Sequence, residues 1–232
     1  MKAILFVLVL GIPVLTAGQQ SAPVAELLQQ FKTNRVFWQQ FEVAKKLVAT
    51  HNAVALGQLE PYLKDQDRHV RGNAAFVFAA LGDDRGFEVI ADILIDRSDR
   101  PKGQTVGGNW SLSAQTRSDR YYAAHLFGDL KNPRAVPILI PLLQDPEVSW
   151  IVPWSLGEIG DKSAIPSLIQ TLRDRSPDMR VLSIYALEKL KAKEALPQIH
   201  LLVNDEEKIH FDGLGTVADA AKKTIANLEA LP

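Results

Sequence analysis

Cysteine is absent from all 232 residues. This removes disulfides, thiol nucleophiles and thiolate metal ligands. An exported chain without disulfides must be held by packing alone, which suits a bacterial envelope protein better than a small extracellular disulfide scaffold. An excess of either charge is also missing: 26 Lys and Arg face 27 Asp and Glu. Without a basic surplus a general nucleic-acid binder is not expected. The five histidines (His51, His69, His125, His200, His210) form no i,i+4 pair, and none is followed by glutamate. No metal or cofactor is therefore expected. There is no Gly-x-Ser-x-Gly elbow, since Trp154-Ser155-Leu156-Gly157 lacks the flanking glycine. Gly107-Gly108-Asn109-Trp110 is not followed by the Lys-Ser/Thr pair of a phosphate loop. No catalytic motif is present, and a non-enzyme is expected.

Long apolar runs are lacking except at the start. Met1-Lys2 gives a positive beginning, Ala3 to Leu15 is apolar apart from Gly11 and Pro13, and Thr16-Ala17-Gly18 offers small residues before Gln19. This is the layout of a secretory signal peptide over residues 1–18. The run is short for a membrane span of about 20 residues, although an uncleaved anchor is the rival reading. A lipoprotein signal needs a cysteine. The expected location is exported, periplasmic or secreted, with no membrane span after cleavage.

What the chain does have is a repeat. Five units align on a closing acid: Asp65, Asp96, Asp145, Asp174 and Asp205. Two residues before each stands Leu63, Leu94, Leu143, Leu172 or Val203. Six before stands Leu59, Ile90, Leu139, Leu168 or Ile199, and nine before stands Leu56, Phe87, Val136, Ile165 or Leu196. The spacing predicts a second helix per unit with one apolar stripe. Pro137, Pro166 and Pro197 recur where that helix starts, a place that tolerates a missing N–H. The first helix is clearest at Val70, Ala74, Val77, Phe78 and Leu81, ended by Gly82-Asp83. Ala44, Ala75 and Ala124 recur where paired helices would cross. Ser21 to Phe31 reads as an N-terminal cap helix and Val217 to Leu228 as a terminal helix.

This pattern resembles the HEAT-repeat family in its short bacterial form, as in the phycobilin-lyase-like repeat family. The residues that carry the resemblance are Val70-Arg71-x-x-Ala74-Ala75, Leu81-Gly82-Asp83, Ala164-Ile165-Pro166-x-Leu168-Ile169 and the closing aspartates. It implies an all-α fold: a right-handed α-solenoid (superhelix) of five helix pairs, forming a single domain over residues 19–232. It also implies an Asp–Arg ladder in which each closing acid meets an arginine six residues on. Asp65/Arg71 and Asp174/Arg180 fit, but Ile151 and an insertion break the ladder in the middle. An iron-binding HEAT enzyme, deoxyhypusine hydroxylase, uses His-Glu pairs that are absent here. Bilin attachment by other relatives is not implied by the repeat alone, and an exported chain would not meet those substrates.

Two insertions depart from the repeat, at residues 97–118 and 206–215, and both follow a closing aspartate. That places them on one edge of a solenoid. Pro101, Gly103, Gly107 and Gly108 exclude a regular helix across the first, and a long loop in a repeat protein is a candidate binding element. Its candidate contacts are Arg100, Lys102, Trp110 and Arg117. The alternative is a loop with Trp110 folded back on its neighbours. Tyr121, Trp150 and Trp154 form a second candidate cluster. Pro153 is expected to kink the helix that carries the tryptophans, and core packing is favoured over an interaction patch.

The expected function is a non-catalytic scaffold of the cell envelope that binds a protein partner. It would use the insertion and a concave face lined by Glu88, Asp92, Gln144, Ser167, Gln170 and Gln198. The rival is an envelope enzyme or its accessory subunit, for which paired carboxylates or a histidine cluster beneath an insertion would be the sign. Export is expected to remove the first ~18 residues; mass spectrometry that finds intact Met1 in the envelope fraction would overturn the cleaved-leader reading.

Overall fold

A computed structural model describes residues 17–34, 36–99, 112–210 and 215–232. The expected leader lies outside them apart from Ala17 and Gly18, which begin the first helix. That helix, α1 (Ala17–Thr33), buries Val24, Leu28 and Phe31 against α2 (Phe37–Ala49) and α3 (Val54–Leu59). It is the expected cap, longer than the periodic stretch that announced it.

Five helix pairs follow. They are α2 with α3, α4 (Arg68–Ala80) with α5 (Asp84–Ile95), α6 (Leu112–Leu130) with α7 (Val136–Leu139), α8 (Val152–Ile159) with α9 (Ile165–Thr171), and α10 (Pro177–Lys189) with α11 (Leu196–His200). The terminal helix α12 (Val217–Glu229) closes the stack. The first helices touch one another in order, from α2 through α4, α6, α8 and α10 to α12. Each second helix touches the first helix of the next unit. The result is an α-solenoid built from neighbour contacts alone. The apolar residue six positions before each closing acid is its innermost point: Leu59, Ile90, Leu139, Leu168 and Ile199 are all 0% exposed. Ala44, Ala75 and Ala124 are also fully buried.

The second helices are less regular than the stripe implies. Only α5 runs unbroken over 12 residues. Elsewhere the segment tightens into 3₁₀ turns: Glu60–Lys64 after α3, Pro133–Ala135 and Ile140–Gln144 around α7, Lys162–Ala164 before α9 and Lys193–Ala195 before α11. Proline accounts for part of this. Pro61 and Pro141 deny an N–H in mid-segment, where Glu60–Lys64 and Ile140–Gln144 shorten the turn. Between Asp84 and Ile95 there is no proline, and the helix stays whole.

The turn inside each pair repeats with equal strictness. Its pivot has left-handed backbone at His51, Gly82, Lys131, Gly160 and Lys191, with φ between 49° and 87°. Each pivot stands 14 residues before its closing acid. The side-chain oxygen of the next residue accepts the N–H two positions on, at Asn52, Asp83, Asn132 and Asp161 (2.9, 3.1, 3.0 and 2.8 Å). The fifth unit has Ala192 there and lacks that cap. At Gly82, a Cβ would meet nothing within 4 Å, so alanine would strain only the backbone. Gly82→Ala is expected to lower stability by about 1 kcal/mol, read as a shifted urea midpoint at constant slope.

Candidate functional site: the joint edge around Trp150

The edge is built by the closing aspartates. One oxygen of each accepts the N–H two residues on: from Asp67 (2.8 Å), Ser98 (2.8 Å), Glu147 (3.0 Å), Ser176 (2.8 Å) and Glu207 (3.2 Å). This turns the chain into the next unit. At three joints the second oxygen takes an arginine from the first helix of the same unit. Arg68 pairs with Asp96, Arg120 with Asp145 (2.5 Å), and Arg180 with Asp205 (3.0 Å). The ladder therefore exists, but its wiring differs from the expected one. Arg71 and Arg180 do reach Asp65 and Asp174, at the backbone carbonyls (2.5 and 2.7 Å). The rungs to carboxylates come from 25 to 28 residues upstream. The middle is intact because Arg120 fills it. At Asp65 and Asp174 no such rung is formed, since neither α2 nor α8 contains an arginine.

The middle rung is deeply buried. Arg120 is 1% exposed, donates from Nε to the Leu94 carbonyl (2.8 Å), and also pairs with Glu147. Burial alone would raise the Asp145 pKa. The Arg120 hydrogen bond, the Glu147 N–H and the charges of Arg120 and Arg97 outweigh it, so the carboxyl sits below its ordinary range. At Asp96, burial is likewise overcome by two hydrogen bonds from Ser98 and by Arg68. Beside these rungs, Asp119 is buried between Arg68 (3.4 Å) and His69 (3.5 Å).

The same network holds the first insertion by both ends. Arg68 donates to the Ser98 carbonyl (3.0 Å) and hydroxyl oxygen (2.8 Å), and the Thr116 hydroxyl donates to that carbonyl (3.0 Å). The insertion is shorter than expected. Helix α6 begins at Leu112, so residues 112–118 are helical rather than loop. No glycine or proline stands there, and Gln115 and Thr116 are buried. Arg117 is thus an exposed helical residue. Arg97, at the other end, reaches Asp145 (2.7 Å). Arg100, Lys102 and Trp110 lie outside the described residues.

The aromatic cluster is corrected in its helix and upheld in its neighbour. Pro153 occupies the first turn of α8 and starts that helix rather than kinking it. Residues 146–151 form turns. Trp150 therefore does not share a helical face with Trp154. It is 54% exposed, with its ring 5.0 Å from Tyr121. Trp154 is half-buried and stacks on His125 at 4.4 Å. A Cβ at Gly128 would come within 2.6 Å of the Trp154 ring, so glycine there makes room for it. Both tryptophans cover α6, as the sequence allowed, but only Trp154 packs as core. Burial raises the Tyr121 pKa, which keeps its hydroxyl protonated.

Trp150 and Pro146 form the wall between two clefts. The smaller, about 440 Å³, adds Ala114, Arg117, Ser118, Tyr121 and Glu147. The larger, about 570 Å³, runs toward Asp174, Ser176, Asp178, Met179 and His210. His210 comes from the second insertion. Its Nδ1 lies 3.0 Å from Asp178, and its backbone N–H donates to the same carboxylate (2.6 Å). An antiparallel bridge joins Lys208 to Thr216 across that insertion, with Ile209 buried. Residues 211–214 lie outside the description. Both insertions thus reach one edge, as expected. Among the expected concave-face residues, Gln144 lines the larger cleft, and Glu88 pairs with Arg134 (3.5 Å). Asp92 and Gln170 are exposed, and Ser167 and Gln198 half-buried, away from both clefts. Sequence reasoning missed Ser149, Asp174, Asp178 and His210; the shared position of the insertions was the signal for them. Among the described residues no group of three His, Asp or Glu side chains is arranged to hold a metal ion, and no helix is long and apolar enough to cross a membrane.

A family model described as HEAT repeats matches residues 110–178, the stretch that carries this edge. Over that stretch the chain is similar to HEAT repeats. Two curated relatives are similar to this chain, both called bilin biosynthesis protein PecE. The one from Mastigocladus laminosus is 30% identical over 151 residues, covering 63% of this chain and 52% of its own. The one from Nostoc sp. is 32% identical over 140 residues, covering 59% and 51%. The chain thus spans about half the length of these relatives. Among solved structures, a designed armadillo repeat protein is 17% identical, covering 90% of this chain and 93% of its own, at a TM-score of 0.47. Computationally designed armadillo repeat proteins for modular peptide recognition give 17% identity, 94% and 95% coverage and the same TM-score.

Removing Arg120 would leave the Asp145 carboxylate with Arg97, itself largely exposed, as its one remaining cation among the described residues. Arg120→Leu is expected to destabilise by about 3–5 kcal/mol. Because the Asp145 and Asp96 pKa values are lowered on folding, their stabilisation is complete above the unfolded carboxyl pKa of about 4 and is lost as pH falls through the folded values. Denaturation profiles should show a steeper acid loss in the wild type than in Arg120→Leu.

Proposed function

We propose that this protein is a non-catalytic scaffold that binds a protein partner along the joint edge, with Trp150 as its anchor. The observation that carries this reading is the half-exposed Trp150, backed by Tyr121 and standing between two clefts. Large aromatics in such settings dominate interface energies. The buried rungs beneath make the edge rigid, so little ordering cost is added on binding. Arg117 flanks the anchor and extends the contact. The leader-like residues 1–18 support a place in the cell envelope, and the balanced charge supports a protein rather than a nucleic acid as partner.

A second reading is an accessory subunit of an enzyme, or an enzyme itself. It is favoured by the His210–Asp178 pair, which lies with Asp174 in the larger cleft beneath the second insertion. Similarity to proteins named for bilin biosynthesis also favours it. Titration with a bilin separates the two readings. A saturable absorbance change that is lost in Asp178→Asn supports the second, and an unchanged spectrum supports the scaffold.

For the scaffold, Trp150→Ala is compared with Trp38→Ala, an equally exposed tryptophan (56%) on α2. The Trp150 variant is expected to weaken partner capture at least tenfold, equivalent to about 1.4 kcal/mol or more, with melting unchanged; the Trp38 variant should capture as the wild type does. Equal capture by all three proteins would overturn the reading.

A further inference from the structure

The two clefts beside Trp150 differ in charge. On the Tyr121 side the cation is Arg117, exposed and making no ion pair among the described residues. The acid beside it, Glu147, is already engaged by Arg120 and Arg97. On the other side stand two carboxylates, Asp174 and Asp178. Asp178 is met by the neighbouring His210, whose Nδ1 lies 3.0 Å away. Asp174 uses one oxygen for its joint N–H and has no arginine rung. An apolar wall of Trp150 and Pro146 separates a positive cleft from a negative one.

We infer that this edge receives an extended peptide segment whose large apolar side chain lies against Trp150. An acidic residue of the segment points to Arg117, and a basic residue points to Asp174 and Asp178. This deepens the scaffold reading and rests on it. The geometry favours an extended segment over a helix. The clefts share two wall residues, so their centres are neighbours, and in an extended chain residues i−2, i and i+2 point to one side with a rise of about 3.3 Å per residue. The expected motif is acid–x–apolar–x–base, in either chain direction. Rim charges of this kind set orientation and exclude wrong partners more than they add affinity. The missing rung at Asp174 gains a purpose in this reading, because an arginine there would neutralise the acid that the partner's base meets.

The test is selection from a displayed seven-residue random peptide library with one central aromatic, on the full chain, with Trp150→Ala as counter-selection. Enriched peptides should carry an acid on one side of the aromatic and a base on the other. Arg117→Glu lies on an exposed helical position and should leave folding intact. It should weaken these peptides about fivefold to tenfold, and binding should return when the peptide's acid is changed to lysine. Enrichment of Trp150-dependent peptides without paired flanking charges would overturn this inference and leave the scaffold reading standing. Peptides that bind Trp150→Ala as well as wild type, or no enrichment at all, would overturn the inference; the capture comparison with Trp38→Ala then decides the scaffold reading separately.

Discussion

One carboxylate at each joint sets the geometry of this molecule. A closing aspartate has two oxygens and uses them for different purposes. The first accepts the N–H two residues on and turns the chain. The second, at three joints, locks that turn to a buried arginine from the first helix of the same unit. A solenoid has no long-range core to average out errors, so the angle between neighbouring units must be set locally. A turn hydrogen bond alone would leave the joint exposed to water and free to fluctuate. A guanidinium that also binds a backbone carbonyl, as Arg120 does at Leu94, ties three segments together.

Of the two gaps in the ladder, at Asp65 and Asp174, the second lies where the surface is most distinctive. In the fourth unit the first helix starts late, at Val152, because Pro153 suits a first turn. The residues that would have formed its opening turns instead run as turns from Pro146 to Ile151. With no arginine in α8, Asp174 keeps its second oxygen for the cleft. The late start lifts Trp150 off the helix and leaves it standing against Tyr121. Loss of the rung, delay of the helix and exposure of the tryptophan are thus one local change with three consequences. The neighbouring third unit compensates with the most buried rung of all.

Much of the fold was legible in advance. Leu139 and Leu168 sit at the same distance from their closing acids, and both are fully buried; the repeat register read from the chain was the packing register. The pivot of each helix pair was legible only where it is glycine, at Gly82 and Gly160. His51, Lys131 and Lys191 adopt the same left-handed backbone without any signal of composition. The insertion's first boundary was clear, but its second was not, because Leu112 to Ser118 has weak periodicity and becomes helical through burial of Gln115 and Thr116. Of the candidate site, Arg117, Tyr121 and Trp150 meet in one place, whereas Trp154 belongs to the packing of α6.

The amino-acid sequence by itself determined the repeat, its register, the number of helix pairs and the shared edge of the two insertions. These follow from local rules: apolar spacing fixes which face is buried, and turn residues mark where each helix ends. Tertiary structure alone decided which arginine meets which aspartate, because the partners lie 25 to 28 residues apart and are brought together only when a helix pair folds back on itself. It also decided that Trp150 is exposed while Trp154 is packed. Four residues separate them in the chain, but the turn before Val152 breaks the helical relation that would have placed both on one face.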